Sequence, residues 1–320
     1  MFLTSASKGS NQIGMYLLGI AIIMVAYVLG QTPMLLVQLY KVSQNPDITE
    51  SAIQEFSKTM DFGIFGIHKN TGLILLILIF FFAMAGLLIA LKIQKKNIKD
   101  LITPKANIDV NKILFGFAFW MALSVIFEAM MYTVDPSNYV FRFNAGSFLG
   151  LLLIAFVMLP VQTSFEELFF RGYLMQGIAW YSKNKWVPLM VTSVLFGLIH
   201  GMNPEVEKFG FWTMQVYYVT AGLFLGIITL LDDSLELALG VHAATNIFGA
   251  TISTYEGSVL QTDSLLAAKL VNPLLMLLIF IIAAIIFILV CYKKYKWPHL
   301  RSLLNPVDFS QSEPSFRTEA

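Results

Sequence analysis

Seven side chains in this sequence have types and spacings suited to chemistry: Glu128, Glu166, Glu167, Arg171, His200, His242 and Asn246. All lie within strongly apolar stretches. An ionisable group at the centre of a spanning helix costs about 2.5–3.5 kcal/mol on insertion scales, so such groups usually pair or line a cavity. Glu167 and Arg171 are four residues apart, so on a helix they share a face and can form a structural ion pair. Glu166 is turned about 100° from Glu167 and has no such partner in the sequence. A carboxylate buried without a close cation is suited to act as a general base. His200 closes an apolar run one turn after Phe196, and His242 and Asn246 are again four apart, pointing the same way on a helix. Taken singly, each histidine reads equally well as a satisfied core or interhelical contact. Brought to one spot, the group supplies a carboxylate base, two imidazoles and an amide donor, a set that can activate water and hold a developing oxyanion. The same two histidines and one glutamate could instead hold a divalent metal with a position left for water. No H-E-x-x-H, G-x-S-x-G or Walker A pattern is present. Glu128 belongs to no pattern and, four residues before Tyr132, reads as interfacial.

The elements that must position these residues follow from composition. The 320 residues are 57% hydrophobic and 13% charged, with a mean hydropathy of +0.71. Soluble domains are about 45–50% apolar and about 25% charged, so a cytosolic enzyme, a disordered chain and a secreted disulfide scaffold are all excluded. The single cysteine, Cys291, permits no internal disulfide and no Cys-ligated metal. The expectation is an all-α polytopic membrane bundle with about eight crossings, near 14–40, 71–91, 113–133, 146–180, 187–202, 212–231, 235–253 and 270–292. The first run is too long for a signal-peptide core and is retained as a helix. Trp120, Trp180, Trp186 and Trp212, with Tyr132, Tyr181, Tyr217 and Tyr292, are expected near the interfaces. Residues 1–297 form one transmembrane domain with the chemistry-bearing core at 146–252. Residues 41–70 form an outer loop whose apolar Phe62, Ile64, Phe65 and Ile67 suit an interfacial lid. The Ser/Pro-rich 298–320 is expected to be a disordered cytoplasmic tail. Fourteen of the 21 lysines and arginines fall in segments on the N-terminal side of this topology, six on the other, and Arg171 lies within a helix. That bias puts both termini in the cytoplasm.

The fourth crossing conflicts with a simple count. As one helix, 146–180 would run about 50 Å, against a hydrocarbon core of about 30 Å. Counted from the inner face, His242 lies about 10 Å deep, His200 about 20 Å, and Glu166 near the face itself. A break at Pro160, with a non-helical or sharply kinked backbone between Leu159 and Ser164, would bring Glu166 to the histidines.

Three strings carry a family resemblance. Glu166-Glu167-Leu168-Phe169-Phe170-Arg171 resembles the E-E-x-x-x-R motif of the CAAX proteases and bacteriocin-processing enzymes (CPBP, or ABI, family). Phe196-Gly197-Leu198-Ile199-His200 resembles its F-x-x-x-H motif, and His242-Ala243-Ala244-Thr245-Asn246 its H-x-x-x-N motif. The resemblance covers about 146–252. It implies an eight-helix integral membrane bundle with a polar cavity, and an intramembrane endopeptidase acting on a peptide or protein that is lipidated or membrane-embedded. Its setting would be membrane lipid, a bacterial inner membrane, with no nucleic-acid partner. Glu166 would be the base that activates water and His200 would position it. His242 and Asn246 would stabilise the oxyanion, while Glu167 and Arg171, with Phe196, would support the site. An older, metalloprotease-like reading of the family makes Glu166, His200 and His242 zinc ligands, so the cofactor is either none or zinc. The rival classes are a non-catalytic immunity or binding protein and a proton-coupled transporter. The transporter is disfavoured by the lack of an inverted repeat or matched broken helices.

Overall fold

The computed structural model describes residues 1–310. Helices α1 (Ile13–Gly30), α2 (Thr32–Gln44), α3 (Glu50–Thr59), α4 (Lys69–Ile93), α5 (Ile98–Ile102), α6 (Val110–Val134), α7 (Ala145–Glu167), α8 (Met175–Ser182), α9 (Trp186–Ile199), α10 (Pro204–Phe209), α11 (Phe211–Asp232), α12 (Glu236–Thr251) and α13 (Pro273–Tyr295) make an all-α bundle. A π-helical turn, Leu168–Leu174, joins α7 to α8. Three short strands sit beyond it: β1 (Tyr139–Phe141), β2 (Ser253–Tyr255) and β3 (Leu266–Ala268), ordered β1-β3-β2, with β1 antiparallel and β2 parallel to β3.

Six helical stretches among the described residues are long and apolar enough to cross a membrane: Ile13–Gln44, Lys69–Ile93, Val110–Val134, Ala145–Ser182, Phe211–Asp232 and Pro273–Tyr295. The other two expected crossings are α9 and α12, of 14 and 16 residues. At 1.5 Å per residue they fall short of a full hydrocarbon core. Side chains set the starts: Asn144 accepts the Ser147 N–H at 3.1 Å before α7, and Asn272 caps α13 with Pro273 in its first turn.

No non-helical break occurs at Pro160. The backbone is helical from Ala145 to Glu167, through Leu159–Ser164, and the irregularity comes eight residues after the proline, in the π turn. Proline removes one donor from the ladder, and the helix tolerates the loss. The α11–α12 turn is packed against protein: Asp232, Ser234, Leu235 and Glu236 are all buried. The Leu235 N–H donates to the Ile102 carbonyl at 2.7 Å, the Asp109 N–H to Glu236 at 2.7 Å, and Lys112 pairs with Asp232 at 2.7 Å.

The same end gathers both described ends of the chain. The Phe2 N–H donates to Asp233 at 2.7 Å, Lys8 pairs with Asp100 at 2.7 Å, and the Trp297 indole N–H donates to Asp232 at 3.0 Å. The segment after Trp297, expected to be disordered, is ordered to residue 310. Leu300–Leu304 forms a 3-10 turn, Leu303, Val307 and Phe309 are buried, and Phe309 packs edge-on to Trp180 at 5.0 Å. The rest of that expected tail, 311–320, lies outside the described residues. At the opposite end, residues 41–70 are largely helical. Phe56, Phe62, Phe65 and Ile67 cluster with Leu75 of α4.

Of the tryptophans expected near the interfaces, Trp186 and Trp212 are exposed, whereas Trp120 is core. That ring is 3% exposed, stacked on Phe224 at 5.0 Å and edge-on to Phe287. Helix α12 packs closely on α6. A Cβ on Gly240 would lie 2.1 Å from the Ile113 carbonyl oxygen, and one on Gly116 2.7 Å from that of Leu237. Small residues let backbones approach this way in membrane bundles.

Candidate active site

Four helical elements bring the predicted residues together. The end of α7 carries Glu166 and Glu167, the π turn Arg171, the end of α9 Phe196 and the following His200, and α12 His242 and Asn246. Glu166 is 4% exposed. Its Oε2 lies 3.8 Å from His242 Nε2 and 4.0 Å from His200 Nε2, and has no hydrogen-bond partner among the described residues. Its Oε1 accepts from Gln162 Nε2 at 3.3 Å, one turn earlier on α7.

The histidines are held from behind. His242 Nδ1 lies 2.8 Å from Glu167 Oε1, and His200 Nδ1 lies 2.7 Å from the Phe196 carbonyl. Both partners are acceptors, so each ring carries its proton on Nδ1 and, when neutral, turns an Nε2 lone pair toward Glu166. Glu167 Oε1 also accepts from Arg171 Nη1 at 2.7 Å, and both groups are fully buried. Arg171 Nη2 donates to the Gly222 carbonyl at 3.1 Å. The guanidinium lies 4.5 Å from the centre of the Phe196 ring, whose own centre is 4.5 Å from that of His200. Phe196 thus stands between the buried cation and the imidazole.

Asn246, one turn beyond His242, lines the same cavity, and no hydrogen bond within the described residues engages its amide. The cavity holds about 860 Å³ and is walled by α1, α4, α6, α7, α9, α10, α11, α12 and α13. Glu128 also lines it, and the Ser253 hydroxyl donates to its Oε1. Three site neighbours escaped the sequence reading. They are Gln162, Glu205 and Tyr218, whose ring stacks on His200 at 4.6 Å and 28°. Gln162 and Tyr218 are uncharged, so their place in an apolar helix raises no alarm. Glu205 falls in a short polar connection, where a carboxylate looks ordinary.

The three residues expected to ligate zinc do converge, with both rings anchored through Nδ1 as ligating histidines usually are. Their separations of 3.8–4.0 Å exceed the roughly 3.3 Å between ligand atoms of a tetrahedral zinc site. Among the described residues no group of three His, Cys, Asp or Glu has metal-holding geometry.

Residues 144–248, which contain every one of these groups except Glu128, match the model of the family described as type II CAAX prenyl endopeptidase Rce1-like. Over 254 residues the chain is 31% identical to the uncharacterized protein YyaK of Bacillus subtilis (strain 168), an alignment spanning 79% of this chain and 82% of that protein. The chain belongs to the Rce1-like family. No solved structure matches it. The Rce1-like match and the six long apolar helices together make this an integral membrane protein of a membrane endopeptidase family.

Proposed function

We propose that this Rce1-like protein is an intramembrane endopeptidase that hydrolyses a peptide bond with a water activated by Glu166. The observation that carries the reading is the convergence of Glu166 Oε2 and both histidine Nε2 atoms within 4.0 Å at the wall of the cavity. A water seated there gives its proton to Glu166 as its oxygen attacks the peptide carbonyl carbon, with His200 orienting it. The resulting oxyanion is held by the Asn246 amide and by the Nε2–H of His242 in its protonated form, which Glu167 stabilises from behind. Collapse breaks the C–N bond, and the proton on Glu166 passes to the leaving amine. The apolar lining suits a membrane-embedded or lipid-bearing peptide. The termini lie on the cytoplasmic side of a bacterial inner membrane, a reading supported by the lysine bias.

Glu166→Gln preserves the shape of the side chain and removes the base. The expected outcome in proteoliposomes is loss of cleavage with the thermal midpoint unchanged. New termini in the membrane proteome of wild-type cells should disappear in the variant. Persistent proteolysis by Glu166→Gln would remove Glu166 as the base. Stoichiometric zinc in pure, active protein would replace the water scheme by a metal one, with the same three residues as ligands.

A further inference from the structure

The two histidines that face Glu166 are held in different ways. His242 lies inside α12 and is tied to the charged Glu167. His200 lies just past the end of α9, where the backbone tightens into a 3-10 turn. Its N–H bonds to the Gly197 and Leu198 carbonyls rather than to that of Phe196. The Phe196 carbonyl, released by the tighter turn, takes the ring Nδ1 instead, at 2.7 Å. A single hydrogen bond to a neutral acceptor leaves an imidazole free to rock about it. Two aromatic rings remove that freedom. The Phe196 ring centre is 4.5 Å from that of His200 at 43°, and the Tyr218 ring centre, from α11, is 4.6 Å away at 28°. Phe196 and Tyr218 make no ring contact with each other among the described residues, so they hold the imidazole from different sides.

Tyr218 is itself fixed at both ends. Gln215, three residues earlier on the same face of α11, donates to the Gly197 carbonyl at 3.0 Å and so registers α11 on the end of α9. The Tyr218 hydroxyl accepts from Asn203 Nδ2 at 3.3 Å and donates to Glu205, whose carboxylate also accepts the Val259 N–H at 2.8 Å. The ring lines the cavity and is not filler between helices.

We propose that Tyr218 is a positioning residue for the reaction: with Phe196 it clamps the His200 imidazole so that Nε2 stays turned toward Glu166. The clamp rests on the endopeptidase reading above. A misplacement of about 1 Å at a reacting group costs about 100-fold in rate, and His200, lacking a charged partner, is the histidine free to make it.

The test uses the full-length protein in lipid nanodiscs with its histidines labelled with nitrogen-15. The substrates are a quenched prenylated peptide with a C-a-a-X end and a quenched membrane-spanning peptide. Tyr218→Leu, which removes the flat face, should lower kcat by about 30-fold and leave KM within about two-fold. Tyr218→Phe, which keeps the ring and gives up only the hydroxyl bonds, should keep kcat within about three-fold of wild type. The His200 ring N–H resonance, assigned by its loss in His200→Gln, should exchange faster with water in Tyr218→Leu and not in Tyr218→Phe, with the His242 resonance unmoved in both. A ring that served packing alone would lower the thermal midpoint without changing kcat per folded molecule or the His200 resonance. That result, or a Tyr218→Phe as slow as Tyr218→Leu, overturns the clamp while the protease stands. Failure of wild type to cut either peptide above the Glu166→Gln background counts against the endopeptidase reading, and the resonance alone then decides whether Tyr218 holds the ring.

Discussion

At the scale of single residues, the arrangement is decided by what stands behind each imidazole. Glu167 bonds to His242 Nδ1 and to Arg171 through the same Oε1, so one carboxylate both orients a histidine and neutralises a buried cation. Glu167→Gln should therefore lower kcat by about 10–100-fold, in the range seen when such orienting partners are lost. Leaving Arg171 uncompensated should also cost about 3–5 kcal/mol of stability. Replacing Glu167 and Arg171 together by methionine separates the two effects. Denaturation should show much of the stability restored, while activity assays should show none of the rate. Recovery of rate in the double variant would reduce Glu167 to an ion-pair partner.

At the scale of elements, the site depends on α7, α9 and α12 converging, and two features hold α12 in place. The α11–α12 turn is bonded to Ile102, Asp109 and Lys112, and α12 presses on α6 through Gly240 and Gly116. Gly240→Ala would place a Cβ 2.1 Å from a backbone oxygen that cannot rotate away. Overpacking of this kind typically costs about 1–3 kcal/mol. Because α12 carries His242, activity should fall with stability, measured as a lowered thermal midpoint and a lower kcat. Pro160 is the contrasting case. Since α7 is helical through it, Pro160→Ala restores a ladder donor without moving Glu166, and stability should hold or rise with activity retained. A large loss of activity in Pro160→Ala would show that the proline shapes the site.

At the scale of the whole molecule, the cavity imposes a pH dependence through Glu205. Its folded-state pKa is raised by burial, so at intermediate pH the folded chain holds a proton that the unfolded chain has released. Stability is then greatest below the ordinary carboxylate pKa and falls as pH rises from there through the raised value. Glu205→Gln removes that slope. Its thermal midpoint should match wild type near about pH 4 and exceed it near about pH 7.5. A constant difference across that range would place the raised pKa elsewhere.

The membrane class, the long apolar helices and the residues that converge at the cavity, Glu166, Glu167, Arg171, His200 and His242, were legible in the sequence by itself. The reason is energetic: charges are so costly in an apolar helix that each one present marks a pair or a cavity. The Glu167–Arg171 pair followed from helical spacing alone. Tertiary structure decided how Glu166 reaches the histidines, because the placement of α12 depends on contacts from Ile102, Asp109 and Lys112, more than a hundred residues away in the chain. It also decided that Trp120 is core, that residues 300–310 pack, and that Gln162, Tyr218 and Glu205 flank the centre. Uncharged side chains pay no membrane penalty large enough to betray them, and a carboxylate in a polar connection looks solvated until the fold closes over it.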